Sequence, residues 1–199
     1  MPTQVDLCNR ALSLLQIAPI QAVGENTNQG IECETHYEPS LLTVLRDHPW
    51  NFCSYSTALG LLTDSYQGWD YAYQYPSDCV RALEILPDSM ALSNDGDRIE
   101  FEVRLNENKN GQVILTDQED AYLLYVAYID DPNQYDGLFI DAFTWLLAAN
   151  MTPALRGDLN LQAQYLGRYQ QILMKAQLND SAEGREDPDS TNTFVKARE

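Results

Sequence analysis

Two helices written back to back between residues 135 and 182 constrain this chain more than any other feature of its sequence. In the first, Leu138, Phe139, Ala142, Phe143, Trp145, Leu146, Leu147 and Ala149 leave little polar surface, so the helix must be covered on most sides. In the second, Leu159, Ala163, Leu166, Tyr169, Leu173 and Ala176 recur at threes and fours, with Gln162, Gln164, Arg168, Gln170, Gln171 and Lys175 elsewhere. That is an amphipathic helix lying on a buried one. The break is expected across residues 153–160, with Gly157 ending the first helix and Asp158 or Asn160 capping the second. The result is a helical hairpin of roughly 45 residues that the chain upstream must cover.

Upstream, Thr3 with Asp6 has the form of a capping box, and Val5, Cys8, Ala11, Leu12 and Leu15 predict a helix over residues 4–16. A second helical pattern over residues 31–48 uses Ile31, Tyr37, Leu41, Leu42, Val44 and Leu45, and Pro39 predicts a kink or restart near Glu38. His48-Pro49-Trp50 closes it. Tyr71, Tyr73 and Tyr75 then alternate as in a strand, and residues 79–86 read as another strand or a short turn leading into one. Asn94-Asp95-Gly96-Asp97 signals a turn. After it Ile99, Phe101, Val103 and Leu105 alternate with Glu100, Glu102 and Arg104, the cleanest half-buried strand pattern in the chain. Asn110-Gly111 makes a further turn, followed by strands at residues 112–115 and 122–129.

The expected fold class is therefore α+β. Four main helices, two N-terminal and two C-terminal, pack as a bundle with an inserted antiparallel sheet of four to six strands, the helices gathered on one side. A length of 199 residues fits one domain, residues 1–182, with its helical part at 1–50 and 135–182 and its β part at 51–134. Residues 183–199 are expected to form a flexible tail, because Glu183, Gly184, Glu186, Asp187, Pro188, Asp189 and Ser190 have nothing to bury. The tail closes on Phe194, Val195, Lys196, Ala197 and Arg198, the composition of a peptide that docks.

Charge narrows the function. The net charge is −18, and no Lys or Arg occurs between Asn110 and Leu155. Such a surface repels phosphate, so specific nucleic-acid binding is not expected, whereas DNA could slide past it. Cys8, Cys33, Cys53 and Cys79 show no CxxC pair and no His at zinc-ligand spacing, which suits buried free thiols in a chain made in a reducing cytosol. An apolar run of about 18 residues able to span a bilayer is not seen, so no membrane partner is expected.

Catalytic readings find little footing. His36 and His48 could pair with Cys33 or Cys53, but His48 before Pro49-Trp50 more simply ends a helix and packs. Asn94, Asp95, Asp97 and Glu100 lack the full calcium loop and read as a hairpin turn. With thirty acids in the chain, any pair chosen for glycoside hydrolysis is arbitrary. GxGxxG, P-loop and GxSxG patterns are lacking. No enzyme activity, cofactor or metal is expected.

Several stretches carry a resemblance. Tyr37-Glu38-Pro39-Ser40-Leu41-Leu42, His48-Pro49-Trp50-Asn51-Phe52, residues 75–83, Tyr125-Val126-Ala127-Tyr128, Leu138-Phe139-Ile140-Asp141-Ala142 and the helix from Tyr165, taken in this order, resemble the tail tubular protein A family, the head-to-tail adaptors of short-tailed phages. The resemblance spans nearly the whole chain. It implies a virion protein, assembled in the bacterial cytoplasm, that forms a dodecameric ring in the neck of a podovirus. Its partners would be the portal protein above, a tail nozzle resembling tail tubular protein B below, tail fibres beside it, and DNA passing during ejection. The tail would then be the portal-docking segment, with Phe194, Val195, Lys196 and Arg198 as its contacts. Tyr37, Pro39, Trp50, Tyr165 and Tyr169 are candidate subunit-interface residues. The alternatives are a tail-associated glycan hydrolase and a neck stopper or connector of another tailed phage.

Overall fold

The computed structural model describes residues 2–87 and 99–183. The Asn94-Asp97 turn and the docking residues Phe194, Val195, Lys196 and Arg198 lie outside the described residues. What is described is an α+β fold of four helices and six strands.

α1 (Gln4–Leu14) begins at the expected capping box: Asp6 N–H donates to Thr3 Oγ1 at 3.2 Å, and Thr3 N–H donates to Asp6 Oδ2 at 2.8 Å. α2 (Asn28–Asp47) begins three residues before Ile31, because Thr27 Oγ1 accepts from Gly30 N–H at 3.1 Å. It runs through Pro39 as one helix, so the expected restart near Glu38 does not occur. Proline removes a single N–H from the ladder, and the stripe of Cys33, Tyr37, Leu41, Val44 and Leu45 holds both halves of α2 on one buried face.

α3 (Gly137–Arg156) starts where Asp136 Oδ1 accepts from Phe139 N–H at 2.7 Å. It passes Pro153 and continues to Arg156, so the break is shorter than the sequence suggests. Gly157 stops it, with φ of 64° and its N–H donating to the Thr152 and Pro153 carbonyls. Only glycine reaches that left-handed conformation without strain. Asp158 Oδ1 then accepts from Asn160 and Leu161 N–H and opens α4 (Leu159–Glu183).

α1, α2 and α4 all pack on α3. Among the described residues, α3 is long and apolar enough by composition to cross a membrane, which corrects the expectation above. In this fold it is the central core helix, with Phe139, Ala142, Phe143, Leu147, Ala148 and Ala149 fully buried. Rings gather around Phe139: its centroid lies 4.6 Å from Tyr135, 4.9 Å from Phe52 and 5.2 Å from Trp50. Trp50 satisfies its indole N–H on the Val44 carbonyl at 2.9 Å. A buried aromatic polar group nearly always finds such a partner.

The strands are β1 (Ser54–Ala58), β2 (Tyr71–Gln74), β3 (Cys79–Leu86), β4 (Phe101–Leu105), β5 (Gln112–Thr116) and β6 (Tyr122–Ala127). They form two antiparallel three-stranded sheets, β1-β6-β3 and β2-β5-β4, in place of the single sheet expected. β5 and β6 are the central strands, and both are apolar enough to be covered twice. Tyr73, Ile85, Ile114, Leu123 and Tyr125 share one core, while Ala72, Val113 and Leu115 pack under Leu62, Tyr66 and Trp69 of the preceding loop. β1 was not foreseen, for Ser-Tyr-Ser-Thr-Ala has no apolar alternation. β4 is half-buried as expected, with Ile99 before it and its Phe101 and Val103 packed on the core, but it pairs only with β5 among the described residues and its Leu105 is 61% exposed.

Polar ties join the helical and β parts. Arg46 Nη1 donates to the Val80 carbonyl (2.9 Å), Arg81 Nη1 donates to the Arg46 carbonyl (3.1 Å), and the Tyr128 hydroxyl donates to Glu38 (2.7 Å).

Candidate subunit interface

The interface residues nominated from the sequence divide into two groups. Tyr37, Trp50 and Tyr169 belong to the core of the single chain. Tyr37 meets Phe143 edge-on at 5.0 Å, and Tyr169 donates its hydroxyl to Asp47 Oδ2 at 2.6 Å. Burial, followed by that bond to Asp47, pushes the Tyr169 hydroxyl well above the ordinary tyrosine range. These three have little surface to offer a neighbour. Pro39 is exposed on α2, and Tyr165 is half-buried, its ring 5.2 Å from Trp145 and its hydroxyl donating to the Leu14 carbonyl at 2.6 Å.

The cysteine–histidine pairings are not assembled. Cys33 is fully buried with its thiol 3.7 Å from Met151 Sδ, whereas His36 faces Glu32 at 3.2 Å. His48 ends α2 and packs edge-on against Trp50 at 4.9 Å, as its place in the sequence suggested. Cys53 lies buried with its thiol on the Trp50 carbonyl, and burial raises it to about 12. Among the described residues no group of three His, Cys, Asp or Glu side chains is placed to hold a metal ion.

The surfaces with most to offer are the outer faces of α2 and α4. Two α4 residues assigned to its buried stripe, Leu159 and Ala163, are exposed; Leu159 is 70% exposed and Met174 62%. The stripe that does meet the core is Tyr165, Leu166, Tyr169, Ile172, Leu173 and Ala176. At 100° per residue Leu159, Ala163, Gln170 and Met174 fall within one narrow sector of α4. No acid occurs from Leu159 to Leu178, while Arg168 and Lys175 are both exposed there. This run is cationic in a strongly acidic protein.

α2 presents the reverse. Ile31 and Leu42, eleven residues apart, lie on one line of the helix and are both exposed. Glu34 and Glu38 stand exposed beside that line. α4 thus exposes an aliphatic strip and, about 100–180° around the helix from it, two cations, whereas α2 exposes an aliphatic line flanked by carboxylates. The stretch free of acids was readable in the sequence, but its significance depended on which side of α4 the core takes.

No model of a known protein family matches the chain, and no curated protein matches it either.

Proposed function

We propose that the chain is one subunit of a head-to-tail adaptor ring in the neck of a short-tailed phage particle, set between the portal and the tail nozzle. The observation that carries this reading is the pairing just described. A closed ring of identical subunits uses a heterologous interface, in which two different patches of the monomer must complement each other. The solvent side of α4, with its aliphatic strip and, apart from it, Arg168 and Lys175, and the solvent side of α2, with Ile31 and Leu42 beside Glu34 and Glu38, are two such different patches, each on a separate helix packed against α3. In the ring, α4 of one subunit lies against α2 of the next. The order of sequence motifs along the chain supports the same assignment.

The net charge of −18 suits a component that borders a DNA channel. Like-charge repulsion keeps the duplex from adhering while it passes, without any specific contact. Phe194, Val195, Lys196 and Arg198 are the proposed contacts to the portal.

The test is to mix the purified chain with its cognate portal ring and determine the mass of the product. One closed ring per portal is expected; free subunits alone would sink the assignment. Glu34→Lys and Arg168→Glu should each reduce ring formation, and their combination should recover it. If the double variant is no better than the singles, α2 and α4 are not partners.

A further inference from the structure

β1 is one edge of its sheet. Among the described residues it pairs only with β6, in the register Ser54↔Val126 to Ala58↔Tyr122. Leu59 N–H donates to the Ala121 carbonyl at 2.9 Å, which fixes the phase of the ladder. Tyr55 and Thr57 therefore turn their backbone groups toward β6, and Ser56 and Ala58 turn theirs outward. Edge strands are commonly guarded by charges, prolines or bulges. Ser54-Tyr55-Ser56-Thr57-Ala58 has no charge and no proline, and it pairs with β6 without a register shift. Its side chains stand open, Tyr55 being 57% exposed.

The position of the end of α4 matters here. Asn179 lines a cleft of about 790 Å³ together with Asn51 and Phe52, the residues that lead into β1, and with Asp136 and Asp141. Glu183 lies about 6 Å further along the helix axis. The chain thus leaves α4 close to the start of the open edge, and residues 184–199 follow. Fully extended, they reach about 50 Å, against about 17 Å for the whole of β1. Within them Thr191, Thr193 and Val195 alternate with Asn192, Phe194 and Lys196, a composition that favours an extended strand. Residues 184–190 hold Arg185, Glu186, Asp187, Pro188 and Asp189 and suit a solvated connector.

We propose that residues 191–197 add to the open edge of β1 in the same chain, antiparallel to it. The connector is long enough, at about 23 Å when extended, to reach the far end of β1 before the chain turns back. The returning strand brings Lys196 and Arg198 to the cleft where Asp136 and Asp141 outnumber its one cation, Arg10. Main-chain hydrogen bonds supply the affinity, and the cations select the direction. The proposal does not depend on the ring. Within a ring, the same edge would hold the docking segment until a partner displaces it.

Amide hydrogen exchange on the full-length protein tests this, comparing the natural chain with a full-length Val195→Pro variant. Proline cannot donate to a ladder, and residue 195 is not among the described residues that build the core. Ser56 and Ala58 amides should exchange at least about tenfold more slowly in the natural chain, with Tyr55 and Thr57 unchanged by the substitution. Equal rates at Ser56 and Ala58 in the two proteins would overturn the proposal. Dilution supplies a second arm: protection independent of concentration supports pairing within one chain, and protection lost on dilution overturns it in favour of a neighbour's segment. The pair Lys196→Glu and Arg198→Glu should weaken protection at the same two amides; no change would overturn the antiparallel direction.

Discussion

The helical and β parts of this molecule solve the same problem in different ways. The helical part gathers three helices around one, so a single element, α3, is the one that every other helix packs on. The β part has no such centre: two three-stranded sheets face each other across Tyr73, Ile85, Ile114, Leu123 and Tyr125, and among the described residues each sheet keeps unpaired edges. One arrangement concentrates the consequences of damage, and the other confines them.

Phe139→Ala is the strongest test of that contrast. Phe139 is fully buried among Trp50, Phe52 and Tyr135, so its truncation should cost about 4 kcal/mol and lower the denaturant midpoint of the whole protein. Ile114→Ala, equally buried between the sheets, should cost about 3 kcal/mol. Its signature is regional: amide exchange in β2, β4 and β5 should rise well before exchange in α3. If α3 responds equally, the two parts form one cooperative unit and the contrast fails.

Asp136→Ala removes the cap of the central helix and should cost about 1 kcal/mol, read from the same denaturation midpoint. A cost near zero would mean that packing alone fixes the start of α3.

The smallest effect concerns acid. Asp6 is held below the ordinary carboxylate range, first by its side-chain bond with Thr3 and then by the Thr3 backbone N–H. A depressed carboxyl contributes stability that is present above its unfolded value of 3.8 and is lost as pH falls through the lower folded value. The stability difference between the natural chain and Asp6→Asn should therefore shrink below about pH 4. A difference that stays constant down to pH 2 would remove the capping box from the account.

Local chemistry was legible where it acts alone. Thr3 with Asp6, Gly157 and Asp158 each do in the structure what their residue types allow, because caps and left-handed turns depend on a few neighbouring atoms. Context decided the rest. Pro39 and Pro153 stay inside helices because the packed faces on either side outweigh one missing hydrogen bond. Leu159 and Ala163 fit the apolar period of α4 but fall on its solvent side, since α3 determines which sector is buried. β1 was invisible because an exposed edge strand needs no apolar alternation, and Tyr37, Trp50 and Tyr169 look alike in sequence whether they face a core or a neighbour.

The central place of α3 also sets a timetable. α1 and α2 are synthesised first, yet the helix they rest on is complete only at Arg156, roughly a hundred residues after Asp47. At translation rates of about 5–20 residues per second, the N-terminal helices wait ~5–20 s with their apolar stripes uncovered. During that wait the β strands emerge and can close on one another. Each new subunit thus keeps α1 and α2 waiting until α3 arrives, and α4 closes over α3 last.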